Sequence, residues 1–151
     1  MGIRFATPED FDSCVELLPK AWNSSRMKAR VGYLLMSRSA LVDTDHDGSV
    51  NGFFLLEIDF FDEKTLYLRT AVVRENRRRS GVGTALLKYS LEYAKNNNFR
   101  RIFLDALEGN EQITRDGVEK FGFKQAGYID NMHDEGGKYF IYSLRVADYV
   151  Q

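Results

Sequence analysis

Val72-Val73-Arg74-Glu75-Asn76-Arg77-Arg78-Arg79-Ser80-Gly81-Val82-Gly83-Thr84 is the stretch that decides the fold. It leaves a β-rich run, crosses a polar, basic loop and ends with two glycines opening a helix. A helix N-terminus offers backbone N–H groups with no intrahelical partner and a partial positive charge, so it binds phosphate well. Glycine at 81 and 83 lets the backbone approach such an anion without a Cβ in the way. The neighbouring arginines add charge on the same side.

Two other phosphate-binding folds compete for this pattern. A P-loop needs Lys and then Ser or Thr after its last glycine, whereas Thr84-Ala85-Leu86 follows here with no lysine. A dinucleotide fingerprint needs a third small residue where Leu86 stands, although Asp105 lies about the right distance on for a ribose contact. That turn also follows its strand almost directly, and here several polar residues intervene. The elements upstream fit it poorly as well.

Working outward, residues 66–73 are rich in β-formers and read as a strand, and 81–97 read as a helix. Val82, Leu86, Tyr89 and Tyr93 recur at helical spacing and predict its buried stripe. Before them, 40–42 and the apolar, aromatic run 50–60 read as strands joined by the turn Asp45-His46-Asp47-Gly48. Phe61-Asp62-Glu63-Lys64 turns the chain into 66–73, which implies an antiparallel meander. At the start, 3–6 reads as a short strand, and Thr7-Pro8-Glu9-Asp10 signals a helix with Thr7 as N-cap and Asp10 completing a capping box. Phe11, Val15 and Leu18 give that helix its stripe, and Pro19 ends it. Ser24 or Ser25 caps a second helix to about Arg38, carrying Met27, Val31, Leu34 and Leu35 on one side. Downstream, 102–107 reads as a strand, 110–121 as a helix, and 123–129 and 139–146 as a last pair of strands.

The order β-α-α-β-β-β-α-β-α-β-β makes a mixed sheet with helices packed on its faces. The unit 66–73, 81–97, 102–107 is expected to be a right-handed parallel crossover. No repeat, linker or low-complexity stretch interrupts the chain, so 1–151 reads as one domain.

Composition narrows the function classes. The 151 residues are 44% hydrophobic, 13% aromatic and 28% charged, the profile of a globular domain able to bury a core. A formal net charge of -1 gives no global field for nucleic acid or an anionic membrane. Arg77-Arg78-Arg79 and Arg100-Arg101 form local basic runs but lack interleaved aromatic residues, which argues against a nucleic-acid partner. No apolar run approaches the length of a membrane span, no N-terminal signal pattern is present, and a cytoplasmic location is the expectation. The single cysteine, Cys14, reads as a small core residue. His46 and His133 stand alone in turns, so no metal site is expected.

Two motifs at the right separation then resemble a known family. Arg78-x-x-Gly81-x-Gly83, after a valine-ended strand and before a long helix, resembles the pyrophosphate motif of the GNAT superfamily of N-acetyltransferases. Glu119-Lys120-Phe121-Gly122-Phe123 resembles the family's tyrosine-lysine-glycine-phenylalanine region before its sixth strand. The resemblance covers about residues 3 to 147. It implies an α/β (α+β) fold with a mixed, mostly antiparallel central sheet of about seven strands and helices on both faces.

The resemblance also implies a cosubstrate, acetyl-CoA, and the residues that hold it. In the family a bulge splays the fourth strand from the fifth, and the pantetheine arm lies there like an added strand. By position, the backbone of Ala71, Val72 and Val73 bonds the pantetheine and thioester. Arg77 and Arg78 either flank the phosphates or form a solvated charge run, and Arg79, Ser80, Gly81, Val82, Gly83 and Thr84 wrap the pyrophosphate. Asn110 resembles a residue touching the pantetheine side, with N-cap its alternative role. For the general base, Asp105 matches a position where some members carry an acid, Glu108 is a second candidate, and Tyr67 occupies the place where another branch keeps a glutamate. The family's thiol-protonating tyrosine falls on Val118, which cannot donate a proton, and its neighbour is Gly117. Water, Tyr128, Tyr142 or no dedicated acid then serves, or the chain binds coenzyme A as a regulatory module without efficient turnover.

The acceptor, by the same resemblance, is an amine on a small molecule or protein, gripped by 22–33, 60–62 and 131–139. Trp22, Phe60, Phe61, Met132 and Tyr139 are candidates for an aromatic pocket, and Asp130, Asp134 and Glu135 for attracting a cation. A homodimer through the C-terminal strands is common in the family.

Overall fold

In the computed structural model the described residues are 2–20, 23–59, 61–109, 111–130 and 137–149, with side chains of 111–113 excepted. Among the described residues, four α-helices and seven strands follow one another in the expected order. They are β1 (Gly2–Phe5), α1 (Phe11–Leu17), α2 (Ser25–Met36), β2 (Ala40–Thr44), β3 (Val50–Ile58), β4 (Thr65–Val73), α3 (Val82–Asn96), β5 (Arg101–Leu107), α4 (Glu111–Val118), β6 (Lys124–Asp130) and β7 (Lys138–Arg145). The strands lie in one open, mostly antiparallel sheet in the order β1-β2-β3-β4-β5-β7-β6. Of the acceptor-binding candidates, Trp22, Phe60, Met132, Asp134 and Glu135 fall outside the described residues, as do Asn110 and His133.

The chain forms two compact units, each made of two segments: Met1–Glu57 with Arg69–Ser90, and Ile58–Leu68 with Leu91–Gln151. In the first unit β1 and β2 run antiparallel from Gly2↔Thr44 to Phe5↔Leu41, and β2 pairs with β3 from Ala40↔Leu55 onward. Successive residues of a strand point to opposite faces of the sheet. Phe53 and Leu55 of β3 therefore enter a fully buried core with Cys14, Leu18, Val31, Leu34 and Leu35 from α1 and α2. Gly52, of the opposite parity, faces Val82 and Leu86 of α3, so helices cover both faces of β3.

Local signals act as expected. Ser24 caps α2 by accepting from the Met27 N–H at 3.1 Å, worth about 1 kcal/mol in such positions. Thr7 precedes a 3-10 turn (Pro8–Asp10) that leads into α1, and the Asp10 carboxylate accepts from the Thr7 N–H at 2.8 Å. Arg4 closes this corner with two bonds to Asp10 at 2.8 and 2.9 Å. Cys14 is 0% exposed, and burial pushes its thiol up to about 12, as befits a core residue. Among the stripe residues of α1, Leu18 is buried while Phe11 and Val15 are half-buried, with Cys14 taking the central place.

One stripe differs. Tyr89 is 37% exposed, and the buried face of α3 is Leu86, Leu87, Ser90, Leu91 and Ala94. Tyr89 is instead partly exposed and meets Phe5 in a T-shaped ring contact, with centroids 6.4 Å apart.

In the second unit β4 and β5 are parallel, as the crossover reading requires, from Thr65↔Arg101 to Leu68↔Leu104. β7 lies antiparallel beside β5 along its whole length, Arg101↔Arg145 to Leu107↔Tyr139, and β6 pairs outside β7. The helix expected over 110–121 is α4 followed by a 3-10 turn, Glu119–Phe121, ended by Gly122 in the left-handed region at φ 102. A Cβ at Gly122 would stand 3.1 Å from both the Asp148 carbonyl and Leu144 Cδ1, so the motif glycine is needed twice over.

Candidate active site

The turn expected to bind phosphate belongs to the first unit. β4 ends at Val73, and Arg74 anchors the start of the loop: its N–H donates to the Asn51 carbonyl at 2.7 Å, and its guanidinium grips the Val50 carbonyl at 3.1 and 2.8 Å. A 3-10 turn, Glu75–Arg77, lifts the chain. Arg79 then takes φ 63 and Gly81 φ 91, two left-handed residues that reverse the loop into α3. Gly81 meets that need at no cost, whereas the left-handed region is one that a non-glycine residue such as Arg79 rarely adopts. The Gly81 carbonyl accepts from Ala85 N–H at 2.9 Å as the first bond of α3, so the N–H groups of Val82, Gly83 and Thr84 precede the helical ladder.

The arginine run divides its labour. Arg77 donates to Asp45 at 2.6 Å, and Asp45 with Asp43 also accepts from the Asn51 amide, at 3.0 and 3.1 Å. This polar chain commits Arg77 to holding the loop. Arg78 donates to the Val73 carbonyl at 3.4 Å, and Ser80 hydrogen-bonds the Arg77 carbonyl through its hydroxyl. Arg78 and Arg79 both remain exposed.

Sequence reasoning missed the supports of this turn. Gly52 lets α3 approach: a Cβ there would lie 2.9 Å from the Val72 carbonyl and 3.0 Å from Val82 Cγ1. Asp45 reads from sequence only as a turn residue, and Arg74 and Asn51 carry no signal. A Cβ on Gly83, by contrast, would meet only Val73 Cγ2 at an ordinary 3.6 Å, so packing of the chain itself does not demand glycine there.

The base candidates sit in or beside the second unit's β4–β5–β7 ladder. Asp105 lies on β5 opposite Ile141 and is half-buried, on the same strand face as Arg101 and Phe103. The Glu108 carboxylate accepts from the Lys138 N–H at 3.1 Å, while Glu108 N–H donates to the Lys138 carbonyl at 2.8 Å, so this acid fastens the start of β7. Tyr67 stacks on Phe103 with centroids 4.2 Å apart and planes at 13°. Val118 is 5% exposed, a core side chain. Of the two stand-in acids, Tyr142 is fully buried and bonded by Arg115, whereas Tyr128 is 54% exposed with Lys138 Nζ 4.6 Å from its ring centre. Among the described residues no cluster of acids, His or Cys suits a metal, and no helix is long and apolar enough to cross a membrane.

A family model described as acetyltransferase (GNAT) family matches residues 9–123. No curated protein matches by sequence. Solved structures share the fold at low identity. An acetyltransferase of the GNAT family from Bacillus cereus is 23% identical, with a TM-score of 0.79 over 95% of this chain and 96% of its own. Ard1 from Thermoplasma volcanium is also 23% identical, with a TM-score of 0.82 over 95% of both chains. The diaminobutyrate acetyltransferase EctA from Paenibacillus lautus, solved with L-2,4-diaminobutyric acid and coenzyme A, is 16% identical, with a TM-score of 0.77 over 99% of this chain and 96% of its own.

Proposed function

The chain belongs to the GNAT acetyltransferase family, whose members transfer acyl groups from acetyl-CoA, and from that premise we propose that it acetylates a primary amine by direct attack on the thioester. The observation that carries the proposal is the turn: left-handed Arg79 and Gly81 lead directly into the first N–H groups of α3, which precede the helical ladder, beside exposed Arg78. That donor set fits a pyrophosphate, since it combines amide donors, the helix dipole and guanidinium charge. Residues 1–151 act as a single domain in this reading, which the near-complete coverage of the structural neighbours supports.

In this reading Val82, Gly83 and Thr84 bind the phosphates through their N–H groups, and Arg78 and Arg79 add charge, with Ser80 shaping the turn. Ala71, Val72 and Val73 bond the pantetheine through the backbone, and Asn110 flanks it. A Val72 or Val73 N–H steadies the thioester oxygen as it gains charge. Asp105 takes the proton of the incoming ammonium, directly or through water. Glu108 is the weaker candidate because its carboxylate already accepts from the Lys138 N–H, and Tyr67 is the weakest because a phenol is a poor general base near neutral pH. The acceptor is an amine on a small molecule or protein, and no nucleic acid, membrane or metal takes part. The protein works in the cytoplasm, where a homodimer through its C-terminal strands is compatible with the reading.

Buried Val118 favours one alternative, a coenzyme A-binding partner module with little turnover. Calorimetric titration with acetyl-CoA, coenzyme A and NAD, followed by an amine panel with free-thiol detection, tests both readings. Binding of acetyl-CoA but not NAD, lost in Gly83→Val and accompanied by thiol release on an amine, supports the transferase. Binding without thiol release on any amine supports the module. No binding of either coenzyme A species overturns both.

A further inference from the structure

A second charged concavity lies in the second unit, at the N-terminal end of β5 and the C-terminal end of β7. It encloses about 460 Å³ and is lined by Arg101 from β5, Ser143 and Arg145 from β7, Lys124 from β6, and Asp148 with Gly122. The strand register explains the gathering. Arg101 stands directly opposite Arg145, and Lys124 directly opposite Ser143. Residues paired in this way share a face, so three adjacent strands turn their cations to the same side.

Like charges directly opposite one another destabilise a sheet. Asp148 relieves one of them, accepting from Arg145 Nε at 2.8 Å and from its terminal nitrogen at 3.3 Å. Arg101 donates to the Ser143 hydroxyl at 3.2 Å. Among the described lining residues Asp148 is the one carboxylate, which leaves an excess of two positive charges there (three cations, one anion). Gly122 preserves the shape, because a Cβ there would press on the Asp148 carbonyl. The volume is in the range of small-molecule sites rather than of a bare ion. The net charge of -1 for the whole chain gives no field to draw a macromolecular polyanion.

We infer that this pocket binds the phosphate or pyrophosphate group of a small molecule, at a site separate from the turn at 78–84. Arg101 and Lys124 supply the charge-assisted bonds, the Ser143 hydroxyl adds a donor, and Arg145 shares itself between Asp148 and the ligand.

The test is titration of the full ¹⁵N-labelled chain with inorganic pyrophosphate at low ionic strength, read at backbone amides. Amides of Arg101, 122–124 and 143–148 shift in a saturable way, and the doubly substituted Arg101→Gln, Lys124→Gln chain loses that affinity by at least about tenfold. Both side chains are exposed, so an unchanged thermal midpoint shows that the variant folds. Shifts confined to 79–84 overturn the inference while leaving the coenzyme A turn standing. Pocket shifts that survive the double substitution overturn it as well. Shifts produced by an oligonucleotide but not by pyrophosphate overturn the small-molecule assignment.

Discussion

Arg77 is held to Asp45 by a 2.6 Å ion pair, so the middle of the basic loop is fastened to the β2–β3 turn rather than offered to a ligand. Asp45→Ala removes that tie and one partner of Asn51. Both side chains are partly exposed, so the stability cost is small, about 0.5 kcal/mol. The loop loses its fixed geometry, and coenzyme A affinity in calorimetry is expected to fall about threefold. A gain in affinity would instead make the released Arg77 a phosphate ligand.

Gly52→Ala probes the approach of α3. The new methyl would meet the Val72 carbonyl at 2.9 Å, a backbone atom that cannot swing aside. Overpacking of this kind costs about 1–3 kcal/mol, and the thermal midpoint is expected to fall by about 3–10 °C. A midpoint equal to that of the parent would mean that α3 and β3 are less tightly joined than their contacts state.

Asp105→Asn is expected to lower turnover about tenfold or more while leaving coenzyme A affinity unchanged. Glu108→Gln supplies the contrast, since an amide oxygen still accepts from Lys138 and turnover should stay near that of the parent. Steady-state rates with the best amine decide between them. Reversal of the two effects would transfer the base to Glu108.

Asp10 gives stability a pH dependence. The Arg4 guanidinium bonded to it holds its carboxyl below the usual range, with the Thr7 N–H helping and burial opposing. A depressed carboxyl stabilises above its unfolded value of about 4, and that contribution is lost as pH falls through the folded value. Asp10→Asn should therefore cost about 1–2 kcal/mol at pH 7, a figure reduced because Arg4 is 45% exposed. Urea melts should show the gap between parent and variant closing as pH drops below about 4. A gap that persists in acid would assign the cost to packing.

Most of the fold was legible because its signals are local. Thr7-Pro8-Glu9-Asp10, Ser24 and Gly81-Val82-Gly83 each punctuate the chain by their own backbone chemistry, and the element order followed from them. Tyr89 was misplaced because spacing reports a face, and a tyrosine at the margin of that face can bury its ring edge while keeping its hydroxyl wet. The supports of the site were not legible. Asp45 and Arg77 are 32 residues apart, and Gly52 matters only because Val72 and Val82 converge on it. The bond that occupies the Glu108 carboxylate comes from the Lys138 N–H, which is backbone and invisible to residue type.

The thiol of Cys14 turns the first unit into its own clock. Fully enclosed and with its proton held to about 12, it should ignore an alkylating reagent near pH 8 for as long as α1 stays seated. Alkylation then proceeds at the rate at which that helix lifts away, so mass spectrometry of the unmodified fraction times native-state opening without denaturant. A ligand that binds only the closed form must slow the clock. Slowing by coenzyme A would tie its site to the unit that carries Cys14, whereas pyrophosphate acting only at the Arg101 pocket would leave the rate unaltered unless the two units open together.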